Sequence, residues 1–200
     1  PQLSARTHFV MQGISADLLA SLRGHGRRDL DAYAAESHRR AALAWAEGRF
    51  DASVVPVTDF IGLTLLARDE TIRPDTTVDT LAALKPAFTE MGTKYGYDSV
   101  AQQVYPQVER IEHLHHAGNS SGIVDGAAAV LVGNAAAARR LQLKARARIR
   151  SFAAIGSEPT LMLDGPAKAA RRALQRAGMA ARDIDLWELN EAFSSVVLTM

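Results

Sequence analysis

A glycine-spaced loop at residues 117–126 carries side chains suited to holding a ligand. Its glycines allow the backbone to approach a bound molecule closely, and they are Gly118, Gly122 and Gly126. Asn119 offers an amide, and Ser120 and Ser121 offer hydroxyls. These groups suit an extended ligand with amide groups, such as pantetheine. The alternative is a tight connector whose glycines serve only turns. A Walker-type phosphate loop is excluded, because no Lys-Ser/Thr pair follows.

A second candidate is the segment 190–193, Asn-Glu-Ala-Phe, which follows a short apolar run at 186–189. Ligands in α/β sheets bind at strand ends of this kind. The carboxamide of Asn190 could cap the following helix, or it could hold a water or donate to an oxyanion. Glu191 either lies buried near the site or favours the helix N-terminus through the dipole. Phe193 is predicted to lie in the core.

Three of the 6 histidines lie close together, at His113, His115 and His116. The grouping suggests a metal cluster, but no acid or cysteine at convincing ligand spacing supports one, so no metal site is predicted. No nucleophile elbow with a Ser-His-Asp pattern is present. Arg73 and Lys85 flank a Thr-rich turn, where they either meet a phosphate or are simply solvated.

The composition is that of a globular protein, with 48% hydrophobic and 22% charged residues among 200. A formal net charge of +1 gives no basis for binding nucleic acid or an anionic membrane, and no run approaches the ~20 apolar residues of a membrane span. No signal or transit peptide is recognised. The start at Pro1 and the apolar end at Met200 suggest an excerpt of a longer protein. Zero cysteines exclude disulfides and Cys-based metal sites in these residues.

The residues before the loop are predicted to be mostly helical. The clearest helix is 27–48, with an apolar stripe at helical spacing formed by Leu30, Tyr33, Ala34, Ser37, Ala41, Ala44 and Trp45. Its opposite face is predicted to be solvated and carries Asp31, Arg39, Arg40 and Glu47. A shorter helix is predicted over 16–23, capped by Ser15 with Asp17 in its first turn. We also predict a strand at 53–57, turns at 59–79, helical turns at 81–87 and partial helix at 95–110.

After Asn119 the pattern predicts strands alternating with helices. The strands are 126–133, 145–155 and 186–189. One helix, 135–143, is capped by Asn134, and another, 166–177, has Pro166 at its start and Gly178 just beyond its end. A third begins at Glu191. This β-α-β-α-β-α order predicts an α/β layer architecture, with a domain boundary at 120–124.

Five segments resemble, in order, the signatures of the thiolase family, whose members make or cleave 3-ketoacyl-CoA. Residues 116–129 resemble HAGNSSGxxDGAAA, and 190–193 resemble NEAF. Residues 11–17 resemble MGxTAE/D, 31–57 resemble DxfAxxSHxxAxxAxxxGrFxxEIvPV, and 73–88 resemble RxxxTxxxLxxLkPaF. The resemblance runs along most of the chain.

The resemblance implies an α/β fold of two similar βαβαβαββ halves in a five-layer α-β-α-β-α arrangement. A CoA-binding loop domain is inserted in the first half. Residues 1–121 would form most of that mostly helical loop domain, and residues 122–200 the first part of the C-terminal βαβαβ half. A cytoplasmic homodimer or homotetramer is implied, with acyl-CoA and CoA as partners and neither nucleic acid nor membrane.

The activity implied by the resemblance is that of an acyltransferase, a 3-ketoacyl-CoA thiolase. A Cys thiolate attacks the 3-keto carbon, the C–C bond breaks, and the acyl-enzyme passes its acyl group to CoA. That Cys would lie upstream of Pro1, and the GHP-motif His and an acid/base Cys downstream of Met200, so these residues alone would be inactive. No resident cofactor is expected, because CoA is a substrate.

Residue roles follow from the same resemblance. Asn190 would orient the water of one oxyanion hole, and Ser121 would hydrogen-bond the pantetheine part of CoA. Arg73 and Thr80 would lie by the nucleotide end of CoA. Met11 and Met162 would line the acyl and pantetheine pocket.

The chain departs from the family pattern in places. Val10 stands where some members carry a CoA-contacting His, and residues 164–168 replace the commoner TGPxPA. Residues 90–111 look like an insertion that resembles a degradative bacterial subgroup acting on bulky or long acyl chains, as in fatty acid or steroid degradation. One alternative function is a non-catalytic CoA-binding or scaffold protein of this fold. Another is a ketosynthase, which the loop-domain run argues against.

Overall fold

The computed structural model describes residues 2–200, without the side chains of residues 3–5. The helices before the glycine-spaced loop are α1 (Gln2–Thr7), α2 (Gln12–Arg23), α3 (Arg27–Ala46), α4 (Val78–Ala82), α5 (Thr89–Thr93) and α6 (Tyr97–Val104). An antiparallel hairpin, β1 (Val57–Thr58) and β2 (Thr64–Leu66), lies between α3 and α4 in the chain. After the loop come α7 (Ala135–Arg140), α8 (Gly165–Ala177), a 3₁₀ helix (Ala181–Asp183) and α9 (Ser194–Thr199).

The chain divides into two compact units. The first unit combines the residues up to Gly122 with Ser157–Asp164 and Leu189–Met200. The second unit consists of Ile123–Gly156 and Gly165–Glu188. The glycine-spaced loop, up to Gly122, and the segment 190–193 therefore belong to the same unit.

The core of the first unit is built around α2, which is buried from Gly13 to Ala20. Full burial of Ile14, Leu18 and Leu19 stabilises the unit, at about 1.5–3 kcal/mol for each side chain removed from water. They pack with residues from several segments, including Val10, Ala101, Ile111, Leu161, Phe193 and Val196. The helix ends at Gly24, whose φ of 71° allows the N–H of His25 to reach the carbonyl of Ala20 at 3.0 Å.

The predicted long helix is confirmed as α3, Arg27–Ala46. Its N-terminus is closed by Asp29, whose carboxylate accepts a hydrogen bond from the N–H of Gly26 at 2.8 Å. Leu30 and Ala34 of the predicted stripe are buried. Glu36 pairs with Arg39 and Arg40, each at 2.6 Å, on the exposed side of the helix.

Asp31 does not lie on the solvated face where the sequence places it. Only 1% of Asp31 is exposed, because donors from distant parts of the chain bind its carboxylate, as described below. The prediction that Ser15 caps α2 is also wrong. The helix begins at Gln12, and the Ser15 hydroxyl donates to the carbonyl of Thr160 at 2.7 Å instead.

Two helices of the second unit confirm their predicted end signals. The side chain of Asn134 caps α7 by accepting from the N–H of Ala137 at 2.8 Å. Gly178 ends α8 with a φ of 67°, and the N–H of Met179 reaches the carbonyl of Leu174 at 3.0 Å.

In the first unit, the predicted partial helix at 95–110 is confirmed by α6.

The strands predicted at 126–133, 145–155 and 186–189 are wrong for this structure. These residues take no regular secondary structure, and Val130, Ile149 and Leu186 are 86%, 67% and 89% exposed. A strand is stabilised by hydrogen bonds to a neighbouring strand, and the described residues provide none for these segments. Of the strand predicted at 53–57, only Val57 lies in a strand, β1. The N–H groups of Ser53 and Val54 both turn back to the carbonyl of Phe50 at 2.9 Å.

Candidate functional site

The glycine-spaced loop and the segment 190–193 lie side by side. Ser120 and Phe193 form an isolated antiparallel bridge. The N–H of Ser121 donates to the carbonyl of Ala192 at 2.9 Å, and the N–H of Ser194 donates to the carbonyl of Asn119 at 3.1 Å. The two segments that the sequence singled out for ligand chemistry therefore meet in one place through their backbones.

Asp31 holds the start of the glycine-spaced loop in place through hydrogen bonds. One carboxylate oxygen, Oδ1, accepts from Nδ2 of Asn119 at 2.9 Å and from Nε2 of His116 at 2.8 Å. The other, Oδ2, accepts from Nε of Arg27 at 2.7 Å. Because donors reach both oxygens, the buried charge of Asp31 is balanced and hydrogen-bonded.

Arg27 extends this support to α4. Its Nη2 donates to the carbonyl of Leu84 at 2.9 Å and also to that of Leu81. The last carbonyls of a helix have no partner within the helix, and Arg27 supplies one at the C-terminal end of α4. Gly118 packs so closely on the same helix that a Cβ there would clash with Leu81. A side chain at position 118 would therefore force the side chain of Leu81 to shift.

His116 is held as a neutral ring. Its Nδ1 accepts from the N–H of Gly118 at 3.0 Å, which leaves the proton on Nε2, facing Asp31. Burial lowers the pKa of His116 and outweighs the contribution of Asp31. The ring therefore acts as a fixed donor and acceptor beneath the loop.

A second carboxylate, Asp17 of α2, gathers the other two histidines. Its Oδ1 accepts from Nδ1 of His115 at 2.7 Å, and its Oδ2 from Nδ1 of His113 at 2.9 Å. Burial by itself would raise the pKa of Asp17, but the hydrogen bonds from His113 and His115 outweigh it and leave this pKa below its usual value. Asp17 thus ties the 113–115 segment to the core helix.

His113 lies between two carboxylates. Its other ring nitrogen, Nε2, lies 3.0 Å from Oδ2 of Asp98 in α6. The hydrogen bond to Asp17 raises the pKa of His113 against the effect of burial, and Asp98 adds to the rise. Nitrogens of all three histidines are therefore directed at carboxylates, and among the described residues no group of His, Asp or Glu is arranged to hold a metal ion.

Glu191 bonds to α3. The hydroxyl of Tyr33 donates to its Oε1, and the hydroxyl of Ser37 donates to its Oε2 at 2.6 Å. Both sequence alternatives for Glu191 are wrong, because the residue is exposed and α9 begins only at Ser194. Phe193 lies in the core as predicted, with its ring against Phe88 and His115.

Asn190 is not a helix cap. Because α9 begins at Ser194 with Phe193 as its N-cap residue, the capping alternative is wrong. Asn190 is exposed and lies two residues before Ala192, which pairs with Ser121. A role in holding a water or an oxyanion stays a prediction.

Ser121 is exposed beside the segment 190–193, and its hydroxyl makes a 3.4 Å contact with the carbonyl of Gly122. Arg73 is exposed, and its backbone N–H donates to Nδ1 of His38 on α3 at 3.2 Å. Thr80 closes the first turn of α4, where its Oγ1 accepts from the N–H of Thr77 at 2.9 Å. Of these three residues, Ser121 is the one whose backbone N–H bonds directly to the segment 190–193, at Ala192.

The two methionines flank connected segments. Met11 is the N-cap residue of α2 and is 42% exposed. Met162 is half-buried with a left-handed φ of 34°, and its N–H donates to the carbonyl of Glu158 at 2.8 Å. The bond from Ser15 to Thr160 links α2 to the segment that carries Met162.

Sequence reasoning missed the residues that support the two signature segments. Asp31, Tyr33 and Ser37 all come from α3, and Asp31 contacts a residue 88 positions away in the chain. One signal in the sequence was that Asp31 directly follows Leu30 of the apolar stripe. A carboxylate that is buried beside such a stripe needs hydrogen-bond or charge partners.

A groove that could hold a ligand lies elsewhere in the first unit. It has a volume of about 550 Å³ and is lined by the C-terminal end of α2, by residues 24–26 that follow it, and by residues 107–110 and 112. None of the predicted site residues lines it. Across the described part of the chain, no helix is both long and apolar enough to cross a membrane.

Comparisons with known proteins match the chain in two parts. Residues 2–99 match the family model "Thiolase, N-terminal domain", and residues 143–200 match "Thiolase, C-terminal domain". A protein of Erwinia tasmaniensis named 3-ketoacyl-CoA thiolase is 41% identical over 191 residues, which cover 94% of this chain and 44% of the relative. One of the same name from Serratia proteamaculans is 43% identical over 188 residues, covering 92% and 43%.

Solved structures give the same result. The dimeric peroxisomal thiolase of Saccharomyces cerevisiae is similar with a TM-score of 0.80 and 30% identity, over 98% of this chain and 44% of that one. The Bacillus anthracis acetyl-CoA acetyltransferase has a TM-score of 0.78 and 31% identity, over 95% and 43%. The chain therefore spans less than half the length of these relatives, and its fold is similar to the corresponding part of theirs.

Proposed function

The chain belongs to the thiolase family, and we propose that it is part of an acyl-CoA acyltransferase that cleaves a 3-ketoacyl-CoA with CoA. The products are acetyl-CoA and a shortened acyl-CoA. The observation that carries the proposal is the backbone pairing of the glycine-spaced loop with the segment 190–193. Relatives named 3-ketoacyl-CoA thiolase, at 41% and 43% identity, support it.

The whole protein supplies the nucleophile in this proposal, because these 200 residues contain no cysteine. A thiolate attacks the 3-keto carbon, the C–C bond breaks, and the acyl group stays on sulfur until CoA removes it. A second cysteine transfers the protons, and a GHP-motif His completes the site. The part played by this chain is to bind CoA and to stabilise developing negative charge.

Asn190 is the residue we assign to charge stabilisation. Its carboxamide is exposed and is not engaged in capping α9. It orients a water that donates to the oxyanion, and a donor aimed where charge develops lowers the barrier. The pairing of Ala192 with Ser121 holds the neighbouring backbone in place.

Residues of the first unit bind CoA. The exposed hydroxyl of Ser121 hydrogen-bonds the pantetheine part. Arg73 and Thr80 lie by the nucleotide end, where the exposed cation of Arg73 suits a phosphate. Met11 and Met162 line the acyl and pantetheine pocket, for which flexible thioethers are suited. CoA is a substrate here, and no resident cofactor is part of the proposal.

We assign the reaction to the degradative direction, in fatty acid or steroid breakdown. The residues that suggest it, 90–111, contain most of α5 and all of α6. Ala101 and Ile111 pack into the core. A homodimer or homotetramer in the cytoplasm completes the proposal. Self-association, as a dimer, is the part of this proposal that the yeast structure described as dimeric supports.

A thiolysis assay on the intact protein tests this function. Loss of acetoacetyl-CoA and of a longer 3-ketoacyl-CoA is followed after CoA is added, with and without iodoacetamide. We expect turnover that alkylation abolishes, with the ratio of the two rates indicating the preferred chain length. No turnover on either substrate, with CoA still bound, would instead support a non-catalytic CoA-binding protein of the same fold.

A further inference from the structure

The side chain of Glu191 is fixed by two hydroxyls of one helix. Tyr33 donates to one carboxylate oxygen and Ser37 to the other. The two donors are four residues apart on α3, so they project from the same face. Hydrogen bonds to a charged acceptor are stronger than neutral ones, and two donors on separate oxygens define the orientation of the carboxylate as well as its position.

These two hydrogen bonds anchor a stretch of backbone, residues 190–193, that is not helical. Residues 190–193 precede α9, which begins at Ser194. On their C-terminal side, the bridge between Ser120 and Phe193 and the bond from Ser121 to Ala192 hold the backbone. At the exposed Asn190, the neighbouring tether is the side chain of Glu191.

We propose that Tyr33 and Ser37 are positioning residues for the carboxamide of Asn190, which they hold in place through the Glu191 carboxylate. The inference rests on the proposed function, in which Asn190 orients a water at an oxyanion. Such a water stabilises the transition state only when its donor is aimed correctly. Tyr33 and Ser37 act by fixing where Asn190 lies, and they touch neither the substrate nor the water.

The first test uses the double variant Tyr33→Phe/Ser37→Ala in the intact protein. We expect kcat for thiolysis to fall about tenfold, while the CoA KM stays within about twofold, because the loss lies in transition-state stabilisation and not in binding. Restoring a hydroxyl with Tyr33→Phe/Ser37→Thr should recover part of the rate. Glu36→Gln is the matched control, since Glu36 precedes Ser37 on α3 and its carboxylate pairs with Arg39 and Arg40. This variant should leave kcat unchanged.

The second test separates positioning from general damage to the fold. In an Asn190→Ala background, the double variant should lower kcat by less than about twofold, because the group that it positions is already gone. A full tenfold loss in that background would show that the hydroxyls act independently of Asn190 and would overturn the proposal.

The third test does not depend on activity. Amide hydrogen exchange over residues 189–193 should be faster by about tenfold in the double variant than in the unmodified protein, and α8 should exchange equally in both. Unchanged amide exchange at 189–193 would contradict the proposal that Tyr33 and Ser37 hold this segment. If the unmodified protein shows no thiolysis, the proposed function fails, and the exchange comparison still decides whether Tyr33 and Ser37 hold this segment.

Discussion

At the residue scale, two asparagines for which the sequence allows a helix cap differ in the structure. Asn134 caps α7 through its side chain, whereas Asn190 is exposed and lies before the start of α9. The Asn134 carboxamide thus caps a helix, whereas the Asn190 carboxamide is exposed and does not cap α9. The difference makes a paired substitution informative.

We expect Asn190→Ala in the intact protein to slow thiolysis by roughly 10²–10³, the usual size for the loss of an oxyanion-stabilising group. Its melting temperature should stay near that of the unmodified protein. Asn134→Ala should show the reverse, with unchanged kcat and a loss of about 1 kcal/mol in stability. An unchanged rate for Asn190→Ala would refute the role assigned to Asn190.

Ser121 offers a second prediction at this scale. Because its exposed hydroxyl is assigned to the pantetheine part of CoA, Ser121→Ala should mainly raise the CoA KM, by about tenfold for one lost hydrogen bond, and should change kcat little. The control is Ser53→Ala, which removes another exposed hydroxyl, one that donates to the carbonyl of Phe50 at 3.2 Å. Equal KM values for the Ser121 variant and the unmodified protein would contradict the assignment.

At the scale of elements, α3 carries much of the support for the site. It reaches the glycine-spaced loop through Asp31 and the segment 190–193 through Tyr33 and Ser37. It also accepts the backbone N–H of Arg73 on His38. Burial lowers the pKa of His38, and the nearby Arg73 lowers it further, which keeps the ring nitrogen available as an acceptor.

Asp31→Asn should destabilise the intact protein by about 3 kcal/mol, because one partner of a buried ion pair is removed and an amide cannot accept all three donors. Thermal or urea unfolding measures the change. Glu36→Gln, on the exposed side of the same helix, should leave the unfolding midpoint unchanged. A midpoint for Asp31→Asn equal to that of the unmodified protein would show that the network under the loop contributes little.

The raised pKa of His113 predicts a pH dependence. A histidine whose pKa is higher in the folded protein than its usual 6.5 stabilises the fold fully below about 6.5, and this contribution is lost as the pH rises through the raised value. The melting-temperature difference between the unmodified protein and His113→Gln should therefore shrink from pH 6 to pH 8. For His116, whose pKa is lowered by burial, the same comparison with His116→Gln should show the difference growing with pH. A flat profile for His113 would contradict its bonding to Asp17 and Asp98.

At the scale of the whole molecule, the sequence predicts those features that depend on residues close together in the chain. Helices α3 and α8 and the cap at Asn134 follow from periodicity and end signals within a few residues. Asp31 and Ser15 were misplaced because their partners lie 85 and 145 residues away, and nothing local announces such partners. The strand at 126–133 failed for a related reason, since its hydrogen bonds need another strand that the described residues do not provide.

The site shows the same division. Motif resemblance singled out the glycine-spaced loop and the segment 190–193, and the residues at each place are compatible with ligand chemistry. Their pairing through Ser121 and Ala192 is a long-range contact that composition and periodicity do not encode. The supporting residues Tyr33 and Ser37 were interpreted only as part of an apolar stripe, because a hydroxyl on a half-buried face is ordinary until its acceptor is known.

The pairing of Asn119 with Ser194, 75 residues further along the chain, has a consequence for biosynthesis. At about 5–20 residues per second, the ribosome needs roughly 4–15 s to add the stretch between them. During that interval α2 lacks Phe193 and Val196, and the carbonyl of Ala16 lacks the hydroxyl of Ser195. The apolar surface of the nascent first unit therefore stays partly exposed until these residues are made. A chaperone that binds apolar surface would have the most time to bind before residue 194 emerges.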